Sequence, residues 1–187
     1  MTEDSAFTDV PIGTVDYLST AETTRRRELL YGRVREPASP FFSHQQLVLQ
    51  VARLLQDHVE PRRLGRVAIA PLDVILDADR ALIVQPDVLF VSTERLSIIR
   101  NQVWGAPDLV VEVLSGSNDA YDREQKLIWY RQYGVREYWL VDLYQETVII
   151  VDFTGILPDT RAARGTDAIH SSVLPELTAT AFSVFGS

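Results

Sequence analysis

The spacing of apolar positions changes several times along the chain, and each change predicts an element. Leu47, Val48, Val51, Leu54, Leu55 and Val59 recur at helical spacing, while Gln46, Gln50, Arg53 and Asp57 take the other face. This predicts an amphipathic helix, with Ser43 as its N-cap and Pro61 as its end. Three β-like runs follow at 67–76, 81–92 and 109–114, each rich in Val, Ile and Leu and bounded by Asp, Arg, Pro or Gly. The third reads DLVVEVL and is apolar on both faces, the pattern of a central strand. A second helix is predicted over 121–133 and closed by Gly134, its apolar face taking Leu127, Ile128 and either Trp129 or Tyr130. Strands at 137–142 and 147–151 come next, joined by a turn near Tyr144 to Glu146.

The flanking segments are less regular. ELLYGRVR, residues 28–35, predicts a hairpin turning near Gly32, and Pro37 and Pro40 then stop regular structure. Residues 1–15 read as a loose arm. The tail from Ile156, rich in Gly, Pro and Thr, ends in a short strand around 178–185. The chain is thus expected to be α/β (α+β), a mixed sheet flanked by helices in the order α-β-β-β-α-β, with an N-terminal hairpin and a C-terminal strand extension.

Composition narrows this picture. At 187 residues and 46% hydrophobic content the chain can bury one substantial core, so residues 1–187 are expected to form one domain. No cysteine occurs, which excludes disulfides, thiolate zinc sites and cysteine nucleophiles and suits a reducing cytosol. The first residues carry acids where a signal peptide has a basic segment and an apolar run, and no run approaches the roughly 20 apolar residues of a membrane span. A soluble, cytoplasmic protein without a membrane partner is expected. No GxGxxG or GxxxxGK follows any strand, which argues against a nucleotide cofactor. Neither GxSxG nor HExxH occurs, and His58 and His170 lack evident partners.

Charge is informative in its sign and its detail. The net charge is −8, from 26 acids and 18 bases, so the molecule lacks the general positive field of an avid nucleic-acid binder. A metal-dependent nuclease is still compatible, since its carboxylates hold the cation and its bases need line only one groove. Arg25, Arg26, Arg27, Arg33 and Arg35 form one basic concentration, and Arg62, Arg63 and Arg66 another. Such clusters are usually solvated; phosphate contact is the functional alternative.

Two acids interrupt apolar runs: Asp87 in IVQPDVLFV and Glu112 in PDLVVEVLS. A charge inside a central strand costs several kcal/mol unless it is paired or coordinated. Each could accept ordinary hydrogen bonds at a strand end. Jointly, on neighbouring strands, they suit Mg²⁺, which takes hard oxygen ligands in near-octahedral geometry, here with the Val113 carbonyl and waters.

Of the 18 basic residues, 17 are arginine and the other is Lys126. A chain that uses arginine wherever a positive charge suffices needs a reason for a compact ammonium. Lys126 lies on the helix after the Glu112 strand. An Asp122–Lys126 surface pair at i,i+4 is the plain alternative, but arginine would serve it equally. Asp122, Lys126 and Tyr130 share one helix face, so a lysine turned toward the sheet carries the other two with it. Tyr130 is more often a core residue than a catalytic one. Glu28 and His44, near the entry to the first helix, are weaker candidates. For His44 a local hydrogen bond at a helix start is the simpler explanation.

ELLYGRV, SHQQLVLQVARLL, QPDVLFVS, APDLVVEVLSGSN and DREQKLIWYRQYGVREYWLVD, in this order over residues 28–151, resemble the Uma-type endonucleases of the restriction-endonuclease-like PD-(D/E)xK superfamily, once a domain of unknown function. By that resemblance Pro86-Asp87 is the PD element and Glu112 the following acid. Leu114 stands where the textual pattern has lysine; the family's lysine has moved to the next helix, which Lys126 fits. Glu28 resembles the additional acid of the superfamily's first-helix region. Pro107-Asp108 is a second PD, placed by strand order at the start of the Glu112 strand, which makes Asp108 a poorer ligand.

The resemblance implies Mg²⁺-dependent hydrolysis of DNA phosphodiester bonds, with Mn²⁺ as a substitute ion. Asp87, Glu112, Lys126 and Glu28 would be catalytic, and His44, Asp122 and Tyr130 accessory. A homodimer is expected, because cutting both strands requires two sites. The alternatives are a catalytically inactive nuclease fold serving as a DNA-binding or assembly module, and a structural or regulatory dimer whose carboxylates make ordinary hydrogen bonds.

Overall fold

A computed structural model describes residues 10–20, 23–114 and 120–186, with the side chains of residues 120–123 left out of the description. The order of the main elements is that expected from the apolar pattern. Helix α2 (Phe42–Arg62) is followed by strands β3 (Gly65–Ile69), β6 (Val88–Ser92) and β8 (Leu109–Leu114), then by helix α3 (Ala120–Tyr133) and strand β9 (Glu137–Asp142). These strands belong to a six-stranded mixed sheet ordered β11-β10-β9-β8-β6-β3, with β10 at Thr147–Asp152 and β11 at Asp159–Arg164. Strands β8 and β9 run parallel across the α3 crossover, and the other pairs are antiparallel.

Two of the expected strands are each divided between two sheets. The run 67–76 splits into β3 and β4 (Val74–Asp77), and the run 81–92 into β5 (Leu82–Val84) and β6. Pro71 and Pro86 interrupt them, because proline offers no N–H to a ladder. Strands β4 and β5 join the hairpin strands β1 (Glu28–Leu30) and β2 (Arg33–Arg35) and the short β7 (Val103–Trp104) in a second sheet, ordered β2-β1-β5-β4-β7. The chain therefore passes from one sheet to the other through the three residues Gln85-Pro86-Asp87.

Alternation assigns the faces of the central sheet. Val88, Phe90, Leu109, Val111 and Val113 pack with Leu47, Val48, Val51 and Leu55 of α2. Leu89, Val91, Val110 and Leu114 point the other way, toward Trp129 and Tyr130 of α3 and toward Leu82 and Val84 of the second sheet. By the same period Asp87 and Glu112 fall on this second face, where α3 and the smaller sheet meet.

Other boundaries differ from expectation. Helix α2 is N-capped at Phe41, not Ser43, and no side chain caps it. Pro61 lies inside its last turn, where the carbonyl left without a helical donor belongs to exposed Asp57. Arg63, in the left-handed conformation, closes the helix instead. The arm expected over 1–15 is anchored from Ile12 onward: Ile12 N–H donates to Gly32 O at 2.8 Å and Thr14 Oγ1 to Ala78 O at 2.7 Å, and α1 (Thr14–Leu18) buries Tyr17. The hairpin turns at Tyr31 and Gly32, both with positive φ (51° and 86°), as a two-residue turn of this kind requires. The strand expected at 178–185 is two residues of β13 (Ala179–Thr180), paired with β12 (Ala168–Ile169), and then α4 (Ala181–Phe185). A reciprocal Thr180–Ser183 capping box starts α4. Among the described residues no helix is long and apolar enough to cross a membrane.

Candidate active site

Three acids from three places in the sequence are buried at the junction of the sheets: Glu28 on β1 (1% exposed), Asp87 at the β5–β6 bend (2%) and Glu112 on β8 (7%). Lys126, 4% exposed, reaches them from α3. Its Nζ stands 3.0 Å from Glu28 Oε1 and 3.0 Å from Glu112 Oε1. One helical turn on, Tyr130 OH donates to the same Glu112 oxygen at 2.8 Å. The i,i+4 spacing thus delivers both residues to one carboxylate. The side chain of Asp122, which shares their face by spacing, lies outside the described residues.

Asp87 accepts from three directions. Val113 N–H donates to Oδ2 at 2.7 Å, His44 Nε2 is 3.4 Å from the same oxygen, and Arg26 Nη1 is 2.6 Å from Oδ1. Val113 therefore meets the site through its N–H. His44 sits at the N-terminal end of the buried stripe of α2, and its Nδ1 is buried without a partner among the described residues.

Arg26 is the main residue that sequence reasoning did not single out. Its guanidinium spans the site: Nη1 bonds Asp87, while Nη2 lies 2.5 Å from Gln85 O and 3.4 Å from Glu112 Oε2. The only sequence signal was membership in the run Arg25-Arg26-Arg27. That run and its neighbours are largely occupied within the fold. Arg27 stacks on the Tyr17 ring and lies 3.8 Å from Glu36, and Arg35 Nη1 lies 3.6 Å from Glu28 Oε2. Arg25 and Arg33 are exposed and remain candidates for phosphate contact.

Gln85 was also missed, although it adjoins Pro86-Asp87. Its N–H donates to Glu28 Oε1 at 3.2 Å, its Oε1 accepts from Arg27 N–H at 3.2 Å, and its Nε2 donates to Asp73 Oδ1 at 2.9 Å. It links the strand that carries Glu28 to the bend that carries Asp87. Asp108 is not part of the constellation: it accepts from Ser92 N–H at 2.8 Å and meets Arg95 and Arg136, pinning the start of β8.

The protonation tendencies follow from burial and these cations. Burial raises the Asp87 carboxyl, but Arg26, His44 and the Val113 N–H outweigh it and hold the group at about 2. Glu28 is likewise lowered, burial being overcome by Lys126 and Arg26. Glu112 is raised: burial dominates, Lys126 opposes it, and the neighbouring Asp87 and Glu28 charges add to it. Burial and the Glu112 charge push the Tyr130 hydroxyl far up, so it remains a donor.

Asp87 Oδ1 and Glu112 Oε2 face the same guanidinium, through Nη1 and Nη2. Among the described residues no group of three or more His, Cys, Asp or Glu side chains is placed to hold a metal ion. Lys126 stands between Glu28 and Glu112, so Glu28 contributes to charge and position and not to a three-acid cluster. Two carboxylates are enough for Mg²⁺, which commonly binds through one or two together with waters and substrate oxygens.

Comparisons with known proteins agree with this architecture. The Uma2 family model, described as "Putative restriction endonuclease", matches residues 14–182. A crystal structure of a putative nuclease belonging to DUF820 from Anabaena variabilis superposes with a TM-score of 0.78 at 20% sequence identity, covering 94% of this chain and 98% of that one. At that identity the likeness speaks for the fold. No curated protein matches.

Proposed function

The chain belongs to the Uma2 family, and from that premise we propose that it is a Mg²⁺-dependent endonuclease that hydrolyses DNA phosphodiester bonds. One observation carries the reading: Asp87 and Glu112, from separate segments, face a single positive group, with the Lys126 ammonium on the other oxygen of Glu112. Hard oxygens converging on one charge are the donor chemistry that Mg²⁺ needs. Bound there, Mg²⁺ would polarise the scissile phosphate and lower the pKa of a water molecule.

The protein's own groups do the rest by position and charge. Val113 N–H and His44 orient Asp87, and the Tyr130 hydroxyl orients Glu112. Lys126, fixed between two carboxylates, brings positive charge to where negative charge develops on phosphate oxygens. Such preorganised charge is worth several kcal/mol of barrier, because it costs no reorganisation during reaction. No covalent intermediate is required. A homodimer supplies the two sites that double-strand cleavage demands, and the lack of cysteine suits a cytoplasmic setting.

A second reading has its own observation. The three acids are met by three cations, Arg26, Lys126 and Arg35, so the cluster is already neutralised as a structural polar core would be. On that reading the chain is an inactive DNA-binding or assembly module. Cleavage of supercoiled plasmid with Mg²⁺ separates the two. Nicking by the wild type that Asp87→Ala abolishes supports the nuclease. Salt-dependent DNA retention without nicking selects the module.

A further inference from the structure

We propose that Arg26 is an exchangeable counter-ion: it bridges Asp87 and Glu112 until a divalent cation enters, and then transfers to the substrate phosphate. The inference rests on reading those two acids as cation ligands.

Charge makes the first case. Glu28, Asp87 and Glu112 face Arg26, Lys126 and Arg35 at 2.6–3.6 Å, a formally neutral set among the described side chains. Placing a divalent ion in a neutral buried cluster leaves two uncompensated positive charges, which low-dielectric surroundings strongly oppose. Binding therefore requires that a resident cation leave, that an anion arrive, or both.

Geometry identifies the cation that leaves. Lys126 is almost fully buried and lies 3.0 Å from each of two carboxylates, and Arg35 meets the cluster at Glu28, away from the oxygens that Arg26 bridges. Arg26 contacts the two oxygens that a metal would share, and 22% of its side chain is exposed, so it has a way out. Its bridging pose is also incompletely satisfied, since among the described residues Nε is buried with no partner. A buried donor without an acceptor is unfavourable, which reduces the penalty for leaving.

The hinge is local. Arg26 belongs to no helix or strand, whereas its neighbour Arg27 is held by its N–H on Gln85 Oε1 and its carbonyl under Tyr17 OH. The side chain can swing while the following backbone stays fixed. A guanidinium released beside the site matches a phosphodiester, whose oxygens it can bind as a two-pronged fork. Cation and DNA should then bind cooperatively, each raising the affinity for the other by the same factor.

The test is a Mn²⁺ titration of the full chain without DNA, read by the electron paramagnetic resonance of free Mn²⁺. Wild type, Arg26→Gln, Arg26→Lys and Asp87→Asn are compared, with thermal melting as a check on folding. The expected result is at least a tenfold gain in Mn²⁺ affinity for Arg26→Gln, near-wild-type affinity for Arg26→Lys, and loss of binding for Asp87→Asn. Equal or weaker binding by Arg26→Gln, with Asp87→Asn still abolishing it, overturns the exchange and leaves the metal site standing. No Mn²⁺ uptake by any form overturns both. A second readout follows wild type directly: the Arg26 Nε–H nuclear resonance, assigned by comparison with Arg26→Lys, should shift as Mg²⁺ is added. A resonance that stays in place while Mg²⁺ binds would refute the transfer.

Discussion

Lys126 Nζ and Glu28 Oε1 are 3.0 Å apart, an ion pair that ties the helix after the central strand to the first hairpin of the chain. The same ammonium holds Glu112, so one residue joins both sheets to α3. Removing it leaves two buried carboxylates short of their cation. Lys126→Met should destabilise the fold by about 3–5 kcal/mol, measured by urea denaturation. Lys126→Arg keeps the charge but not the compact shape; it should retain a cooperative transition and lower plasmid cleavage by about 10²-fold or more. Full activity in the arginine variant would show that only charge matters.

Asp87→Asn tests the other ligand. The amide still accepts from Val113 N–H but no longer balances Arg26, so a modest loss of stability should accompany a loss of cleavage of at least about 10²-fold. If nicking persists at wild-type rate in repurified Asp87→Asn, Asp87 is a structural acid.

The pH response should divide into two ranges. Asp87 is held at about 2, below its ordinary 3.8, so its contribution to stability is present above about pH 4 and is lost as pH falls toward 2. That loss is on the order of 2 kcal/mol and is visible as a falling urea midpoint. Glu112 is shifted the opposite way, so its proton is retained longer in the folded protein and its ionisation opposes folding. Mn²⁺ affinity should therefore keep increasing as pH rises beyond the ordinary glutamate value of 4.5, as Glu112 gives up its proton. A flat Mn²⁺ affinity across that range would remove Glu112 from the ligand set.

Tyr130→Phe isolates a positioning role. It deletes the 2.8 Å hydrogen bond to Glu112 and little else, because the ring stays packed edge-on against Tyr138. The expected cost is about 1–2 kcal/mol in stability, with cleavage retained within a few-fold. A loss as large as that of Asp87→Asn would make the hydroxyl a direct participant.

Gly65→Ala probes the sheet that carries Asp87. A Cβ at Gly65 would sit 2.0 Å from Val91 O and 2.8 Å from the Phe90 ring, in the antiparallel pairing of β3 with β6. The strands must separate to admit it. The variant should lose more than about 3 kcal/mol or fail to fold, as judged by circular dichroism during heating.

The order of helices and strands in the central layer was legible in the sequence because helical and strand periods are local. A stripe such as Leu47, Val51 and Leu55 predicts which face is buried, and DLVVEVL announces a strand covered on both sides. The lone lysine among arginines and the acids inside apolar runs were visible for a related reason: burial makes an unexplained charge conspicuous. Local patterns missed how Pro71 and Pro86 divide continuous apolar runs between two sheets. They also misplaced the N-cap of α2, since a serine without a cap bond looks the same in sequence as one with it.

The sequence by itself determined the mixed α/β class, the central place of the strand that carries Glu112, and the i,i+4 pairing of Lys126 with Tyr130. Tertiary structure alone decided that Glu28 meets Gln85 and Lys126, both far from it in the chain, and that Arg26 lies across Asp87 and Glu112 instead of facing solvent. Periodicity fixes only which way a side chain points from its own element. Which charges finally meet depends on how the two sheets join, and that is set by the packing of their shared core.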